Sequence, residues 1–349
     1  MLAASFGWVF RSPMKKLLVL LVALSVVAGG AWFYLRVPYG PAAETFVEIP
    51  AGLGTTGIAT RLEKAGVIRS RYGFEAWRRY QGGTLRAGEY RFDHPATVGD
   101  VYARIAKGDV YYVPLTIPEG YNIFDIAGAV EKAGLGNAAD FLAAERRDTR
   151  LIADLSPHPE SLEGFLFPDT YRFGRKETPE QILAAMVQRF RQEAVRIGLI
   201  APDGFIGDRV VRDVAQTVTL ASLVEKEVRV DAERPVVAGV FVNRMAQGMT
   251  LATDPAVIYA AILDGRWRGT IYQSDLQSES AYNTYKHQGL PPGPIANPGI
   301  AALKAAMNPA HTDYLYFVAD AEGHTRFSVD LKEHAAQVQA YRQAEKGRP

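Results

Sequence analysis

The first contrast along the chain is an unbroken apolar run. Residues 17–35 read LLVLLVALSVVAGGAWFYL without a charge, and as a helix rising about 1.5 Å per residue they extend roughly 28 Å, the depth of a bilayer core. Arg11, Lys15 and Lys16 precede the run and only Arg36 follows closely. The positive-inside rule therefore expects residues 1–16 as a cytoplasmic tail, residues 17–36 as a single-pass helix of the inner membrane, and everything after them on the outer side. Trp32, Phe33 and Tyr34 stand at the outer end, where amphipathic rings favour the headgroup region. A cleaved signal peptide is the competing reading, offered by the small residues at 27–31, but the apolar run continues past such a cut. Both readings export the rest of the chain.

After a Pro/Gly linker at 37–44, the pattern changes to short alternating and helical stretches, and part of it repeats. VEIPAG at 47–52 recurs as LTIPEG at 115–120, and IA at 58–59 with EKAG at 63–66 recurs at 126–127 and 131–134. Each copy predicts a strand, a turn at Pro/Gly, and an amphipathic helix stopped by Gly. Between the copies, residues 88–92 alternate like a strand and residues 98–107 predict a helix closed by Gly108. The expectation is an α+β chain: one membrane helix, a small module at 45–114, and a larger mixed α+β domain at 115–345 that the second copy opens. In that domain SLEGFLFPDTYRF at 161–173 reads as an ordered turn. Helices are expected at 179–198, 208–230, 235–245 and 255–262, the second of these with Val211, Val214, Val218 and Leu220 apolar. GLPPGPIANP at 289–298 cannot be regular structure, because four prolines remove donors and fix φ. A strand at 314–318 is expected to pair with 325–328 across a turn at Gly323, followed by a closing helix from 331.

Composition then removes several chemistries. The 39 basic and 38 acidic residues nearly cancel, so no field draws the chain onto nucleic acid. Cysteine is absent, which excludes thiolate nucleophiles and Cys-based metal sites. The six histidines lack HExxH or similar spacing, and no Gly-rich phosphate loop or GxSxG element occurs, so neither a metal nor another cofactor is expected.

The strongest candidate chemistry lies in LASLVEKEV at 220–228. At helical spacing Leu220, Leu223, Val224 and Glu227 share a face, while Glu225 and Lys226 turn away from it. A carboxyl held against apolar surface resists ionisation, as a general acid working near neutral pH requires. The helical pattern by itself serves a glutamate that simply reaches solvent at least as well. Ser222 and Lys226 are four apart, the spacing of a Ser-Lys pair, though nothing marks Lys226 as buried. Thr253 and Asp254 before Pro255 suit a helix N-terminus, where capping is the plainer role. Tyr282, Asn283 and Tyr285 combine rings with polar groups, a mixture suited to sugars and equally to a packed loop.

Together these segments resemble the endolytic murein transglycosylase family, also called the YceG-like family. The resemblance rests on EGFLFPDTY at 163–171, ASLVEKE at 221–227, FVNR at 241–244, TDP at 253–255, YNTY at 282–285 and GLPPG at 289–293, all in family order. It implies an N-terminal anchor, a LysM-like module, and an extracytoplasmic catalytic domain that cuts between N-acetylmuramic acid and N-acetylglucosamine within nascent glycan strands, leaving 1,6-anhydro ends. Matching the EKE element makes Glu227 the essential acid, with Glu225 second and Ser222 in support. Thr253, Asp254, Tyr282, Asn283 and Tyr285 become substrate-binding candidates, and peptidoglycan strands and peptidoglycan synthases become expected partners. Ala252 stands where relatives commonly have Gln, which weakens a substrate contact from that side chain. A single acid suffices for such a reaction because the nucleophile is the sugar's own 6-hydroxyl; a hydrolase would need a second carboxylate such as Asp254 or Asp169. A non-catalytic glycan-binding scaffold for synthases is the alternative from another class, and the intact EKE element speaks against it.

Overall fold

The computed structural model describes residues 13–156, 159–201, 214–320 and 324–346. It has the expected α+β character with one long apolar helix at the N-terminus, α1 (Pro13–Arg36). Residues 16–36 of α1 are long and apolar enough to cross a membrane, and among the described residues none buries the apolar stretch of this helix, whose outer end alone meets the first unit. Two compact units form, Met1–Tyr112 and Val113–Pro349.

In the first unit, β1 (Thr45–Ile49), α2 (Thr55–Lys64), α3 (Arg71–Gln81) and β2 (Gly88–Phe92) precede α4 (Val98–Lys107). β1 and β2 are antiparallel, with Thr45 opposite Phe92 and Ile49 opposite Gly88. Alternation sends Val47, Ile49, Tyr90 and Phe92 into a core completed by Ile58, Leu62, Phe74, Val101 and Ile105. α4 starts with a reciprocal capping box between Thr97 and Asp100 and stops at Gly108, whose left-handed backbone (φ 74°) suits glycine. Residues 37–44 are not a free linker, because Tyr39 exchanges backbone hydrogen bonds of 2.9 and 3.0 Å with Ala96.

The second unit opens with the same order of elements: β3 (Val113–Thr116), α5 (Ile123–Lys132), α6 (Ala138–Arg147), β4 (Thr170–Phe173) and α7 (Pro179–Arg196). β4 returns antiparallel onto β3, with Val113 opposite Phe173. The repeat read in the sequence is thus a repeat of local structure. α2 and α5 end alike, with Gly66 (φ 70°) and Gly134 (φ 73°) and the following amide closing onto Leu62 O and Val130 O.

The helix expected at 208–230 is α8 (Val214–Glu227); its expected start, including Val211, lies outside the described residues. Rather than carrying one apolar stripe, α8 is buried all round from Thr217 to Val224. α9 (Arg234–Ala246), α10 (Asp254–Leu263) and α12 (Ile300–Met307) pack on it, with the four-residue α11 (Gln273–Leu276) beyond α10. α9 approaches the 310 segment so closely that a Cβ on Gly239 would lie 2.4 Å from Ala310 O. The Pro-rich segment is irregular, as expected. β5 (Tyr316–Ala319) and β6 (Thr325–Ser328) pair antiparallel before α13 (Leu331–Lys346), and Gly323 lies outside the described residues.

Buried polar groups lock this unit. Glu163 accepts from Ile123 N (3.0 Å) and Asn297 Nδ2 (2.8 Å), and Asn297 in turn accepts from Leu166 N (2.8 Å). Burial pushes the Glu163 carboxyl up to about 8, against the opposing pull of hydrogen bonds from Ile123 N and Tyr259. A neutral acid thereby ties together the start of α5, the 161–169 turn, α10 and the Pro-rich segment.

Candidate active site

Glu227 is the last residue of α8. Its backbone sits at the negative end of the helix dipole, where a carboxylate is disfavoured. Burial is the main cause that raises its carboxyl to about 7; the nearby Asp254 charge adds to the rise and the Arg244 guanidinium opposes it. Among the described residues no hydrogen bond or ion pair holds this carboxyl. It is a protonatable group with its donor capacity unspent, half-buried rather than sealed in.

The other three residues singled out on α8 make contacts within the fold. Glu225 does not turn toward solvent: its side chain is 6% exposed, pairs with Arg234 at 2.7 Å, and accepts from Gly299 N at 2.9 Å. Ser222 is fully buried, donating to Thr219 O (2.7 Å) and accepting from Ile295 N (3.1 Å). Lys226 donates to Gly120 O instead of meeting Ser222, so no Ser-Lys pair forms.

Asp254 and Tyr285 come together beside Glu227. The cap of α10 is Thr253, not Asp254, and the Asp254 carboxylate accepts from the Tyr285 hydroxyl at 2.7 Å. Burial and the Asp254 bond raise the Tyr285 phenol well above its ordinary value, so it stays a donor. Both side chains are solvent-accessible. Thr253 and Asn283 are buried supports. Thr253 N donates to Thr284 Oγ1 (3.0 Å), while Asn283 Nδ2 donates to Leu276 O (3.0 Å) and Ser278 O (2.7 Å) and its Oδ1 accepts from Tyr285 N (3.1 Å). Tyr282 is half-buried and packs its ring at a tilt of 58° on Tyr259, 5.2 Å between centroids. The backbone that aims Asp254 is itself unusual: Ala252 holds φ 50°, fixed by its amide on Thr284 O.

Arg244 is the site residue that pattern reading did not select. Its Nε and Nη1 donate to Leu315 O (2.6 Å) and Leu251 O (2.7 Å), and its guanidinium lies 5.3 Å from the Tyr316 ring centre. Those contacts join α9 to the turn that follows it and to the remote 315–316 segment, and fix a cation within electrostatic reach of Glu227 and Tyr285. The available signal was its place in FVNR at 241–244. Among the described residues, no group of three or more His, Asp or Glu is arranged to hold a metal ion.

A half-buried acid poised near neutrality, a fixed guanidinium and a tyrosine-bound carboxylate are the equipment of a general acid–base enzyme. Comparison with known proteins specifies the kind. The model of the YceG-like family matches residues 47–340, and the chain belongs to that family. It is 32% identical over 337 residues to the endolytic murein transglycosylase of Bacillus subtilis (strain 168), covering 90% of this chain and 91% of that protein. It is 30% identical to the endolytic murein transglycosylase of Streptococcus pneumoniae serotype 2, covering 91% of this chain and 63% of that longer relative. A crystal structure of a protein described as yceG-like, from Listeria monocytogenes, matches with a TM-score of 0.54 at 33% identity, over 85% of this chain and 99% of that one.

Proposed function

We propose that the protein is an endolytic murein transglycosylase, a lyase that cuts between N-acetylmuramic acid and N-acetylglucosamine inside peptidoglycan strands and leaves 1,6-anhydro ends. The observation that carries this reading is Glu227: one acid raised to about 7 and, among the described residues, without a hydrogen-bonded partner. In its protonated form Glu227 donates to the bridging oxygen as the glycosidic bond breaks. As carboxylate it then takes the proton of the muramic acid 6-hydroxyl, whose oxygen closes onto C1. No water enters the product, and the acid ends protonated again. Asp254 with Tyr285 and the Arg244 cation set the charge balance around Glu227 and offer sugar hydroxyls both acceptors and donors.

Residues 45–114 serve in this reading as a LysM-like glycan-holding module and residues 115–345 as the catalytic domain. The apolar α1 spans the inner membrane with its N-terminus in the cytoplasm, supported by its length and by Arg11, Lys15 and Lys16 on one side against Arg36 on the other. That arrangement puts the acid beside newly made strands and near the synthases that extend them, where cutting ends elongation.

Asp254 beside Glu227 keeps one rival reading specific, a two-carboxylate glycan hydrolase. Purified glycan strands incubated with the full-length protein and analysed by mass spectrometry separate the cases. The proposal expects fragments with anhydro ends. Reducing ends, heavier by one water, would replace it with a hydrolase, and uncut strands that still bind would replace it with a scaffold.

A further inference from the structure

The outer end of α1 does not stand apart from the first unit; it is continued by α3. The Trp32 and Trp77 rings stack at 6.3 Å, and Trp77 leads on to Tyr80 at 6.2 Å. Gly73 permits the approach, since a Cβ there would lie 3.0 Å from Leu35. Arg36 lies over Trp32, and Arg69 lies 5.3 Å from the Tyr34 ring centre and 5.1 Å from that of Tyr39. The two helices therefore meet at the level of the aromatic residues that end the apolar run.

One face of α3 is used inward through Phe74, which is fully buried. Tyr72, Ala76, Arg79 and Tyr80, at i, i+4, i+7 and i+8, form the opposite face and are exposed, Tyr72 at 65% and Tyr80 at 77%. Large exposed rings on a small unit call for a partner. Residues 69–81 carry four arginines against a single acid, Glu75. Aromatic rings mixed with arginines along a helix, at the depth where a membrane span leaves the hydrocarbon, fit the interfacial layer of a bilayer.

We propose that α3 rests on the outer leaflet, with Tyr72, Tyr80 and Trp77 in the interfacial layer and Arg69 and Arg79 on anionic phospholipid headgroups. The inference rests on α1 being the membrane anchor. It gives the first unit a fixed seat on the bilayer rather than a free tether.

The absence of cysteine makes the test direct, because a single introduced thiol is the only labelling site. Ala76→Cys on the exposed face of α3, Glu48→Cys on the β1 face turned from the core, and Val26→Cys within α1 are each made in the full-length chain and labelled with bimane. They are then placed in nanodiscs of phosphatidylcholine with phosphatidylglycerol. The expected result is quenching at 76 by headgroup-nitroxide lipid, no quenching at 48, and quenching at 26 by lipid with nitroxide deep in its chain. Arg79→Gln in the Ala76→Cys chain, or nanodiscs of phosphatidylcholine alone, is expected to cut the seated-to-free ratio about fivefold per lost charge contact. A label at 76 no more quenched than at 48, with 26 quenched, overturns the seat and leaves the anchor standing. An unquenched label at 26 overturns the anchor itself.

Discussion

Charge substitutions around Glu227 should move its titration in opposite directions. Its carboxyl rises from 4.5 to about 7, and at 1.36 kcal/mol per pH unit that is about 3 kcal/mol of preference for the protonated form. The folded value lies above the unfolded one, so this preference stabilises the fold fully below about pH 4.5 and is lost as pH rises through about 7. Bond breaking needs the protonated acid, so kcat/KM for release of anhydro-ended fragments should fall along a limb centred near pH 7. Asp254→Asn keeps an acceptor for the Tyr285 hydroxyl and deletes the neighbouring negative charge, which moves the limb to lower pH. It stays well above 4.5, because burial is the larger cause of the rise. Arg244→Gln deletes the opposing cation and moves the limb to higher pH, and Arg244→Lys restores it. The assay is the initial rate against pH for the four proteins. A limb unmoved by either charge deletion, or moved the same way by both, would refute the electrostatic argument.

Substitutions at three places test the frame that holds the site. Glu163→Ala strands Ile123 N and Asn297 Nδ2 in the core and should cost about 3 kcal/mol in urea unfolding. Wild type should also lose stability to Glu163→Gln as pH rises through about 8, since the raised carboxyl stabilises the fold only while protonated. Arg234→Met leaves Glu225 buried and unpaired and should cost about 3–5 kcal/mol, whereas adding Glu225→Leu recovers much of it; equal losses would show that the pair is not coupled. Gly239→Ala forces a methyl against Ala310 O and should lower stability by about 1–3 kcal/mol or more in the same measurement.

The elements with strong contrast were legible in the sequence: the uncharged run of α1, α7 with proline in its first turn, and the repeat. α3 was not, because only Phe74 of its eleven residues is fully buried and no apolar period develops. α12 escaped for another reason: half of IAALKAAM is alanine, whose small side chains give little contrast between faces. Helical spacing put Glu227 against apolar neighbours, in keeping with its raised carboxyl, but misjudged Glu225, since the partner that makes its burial tolerable, Arg234, arrives only after the chain turns from α8 into α9. Arg244 was hidden because its meaning depends on Leu251, Leu315 and Tyr316, which only the fold assembles. Asn283 looked like a sugar contact by composition, but it is buried and its amide is spent on Leu276 O, Ser278 O and Tyr285 N.

The most direct measurement compares wild type with Glu227→Gln at matched folded content, checked by circular dichroism, on purified glycan strands with mass-spectrometric counting of anhydro ends. A loss of at least about a hundredfold is predicted, the scale of a positioned acid–base group. Cleavage continuing at the parental rate in a folded Glu227→Gln protein would contradict the assignment.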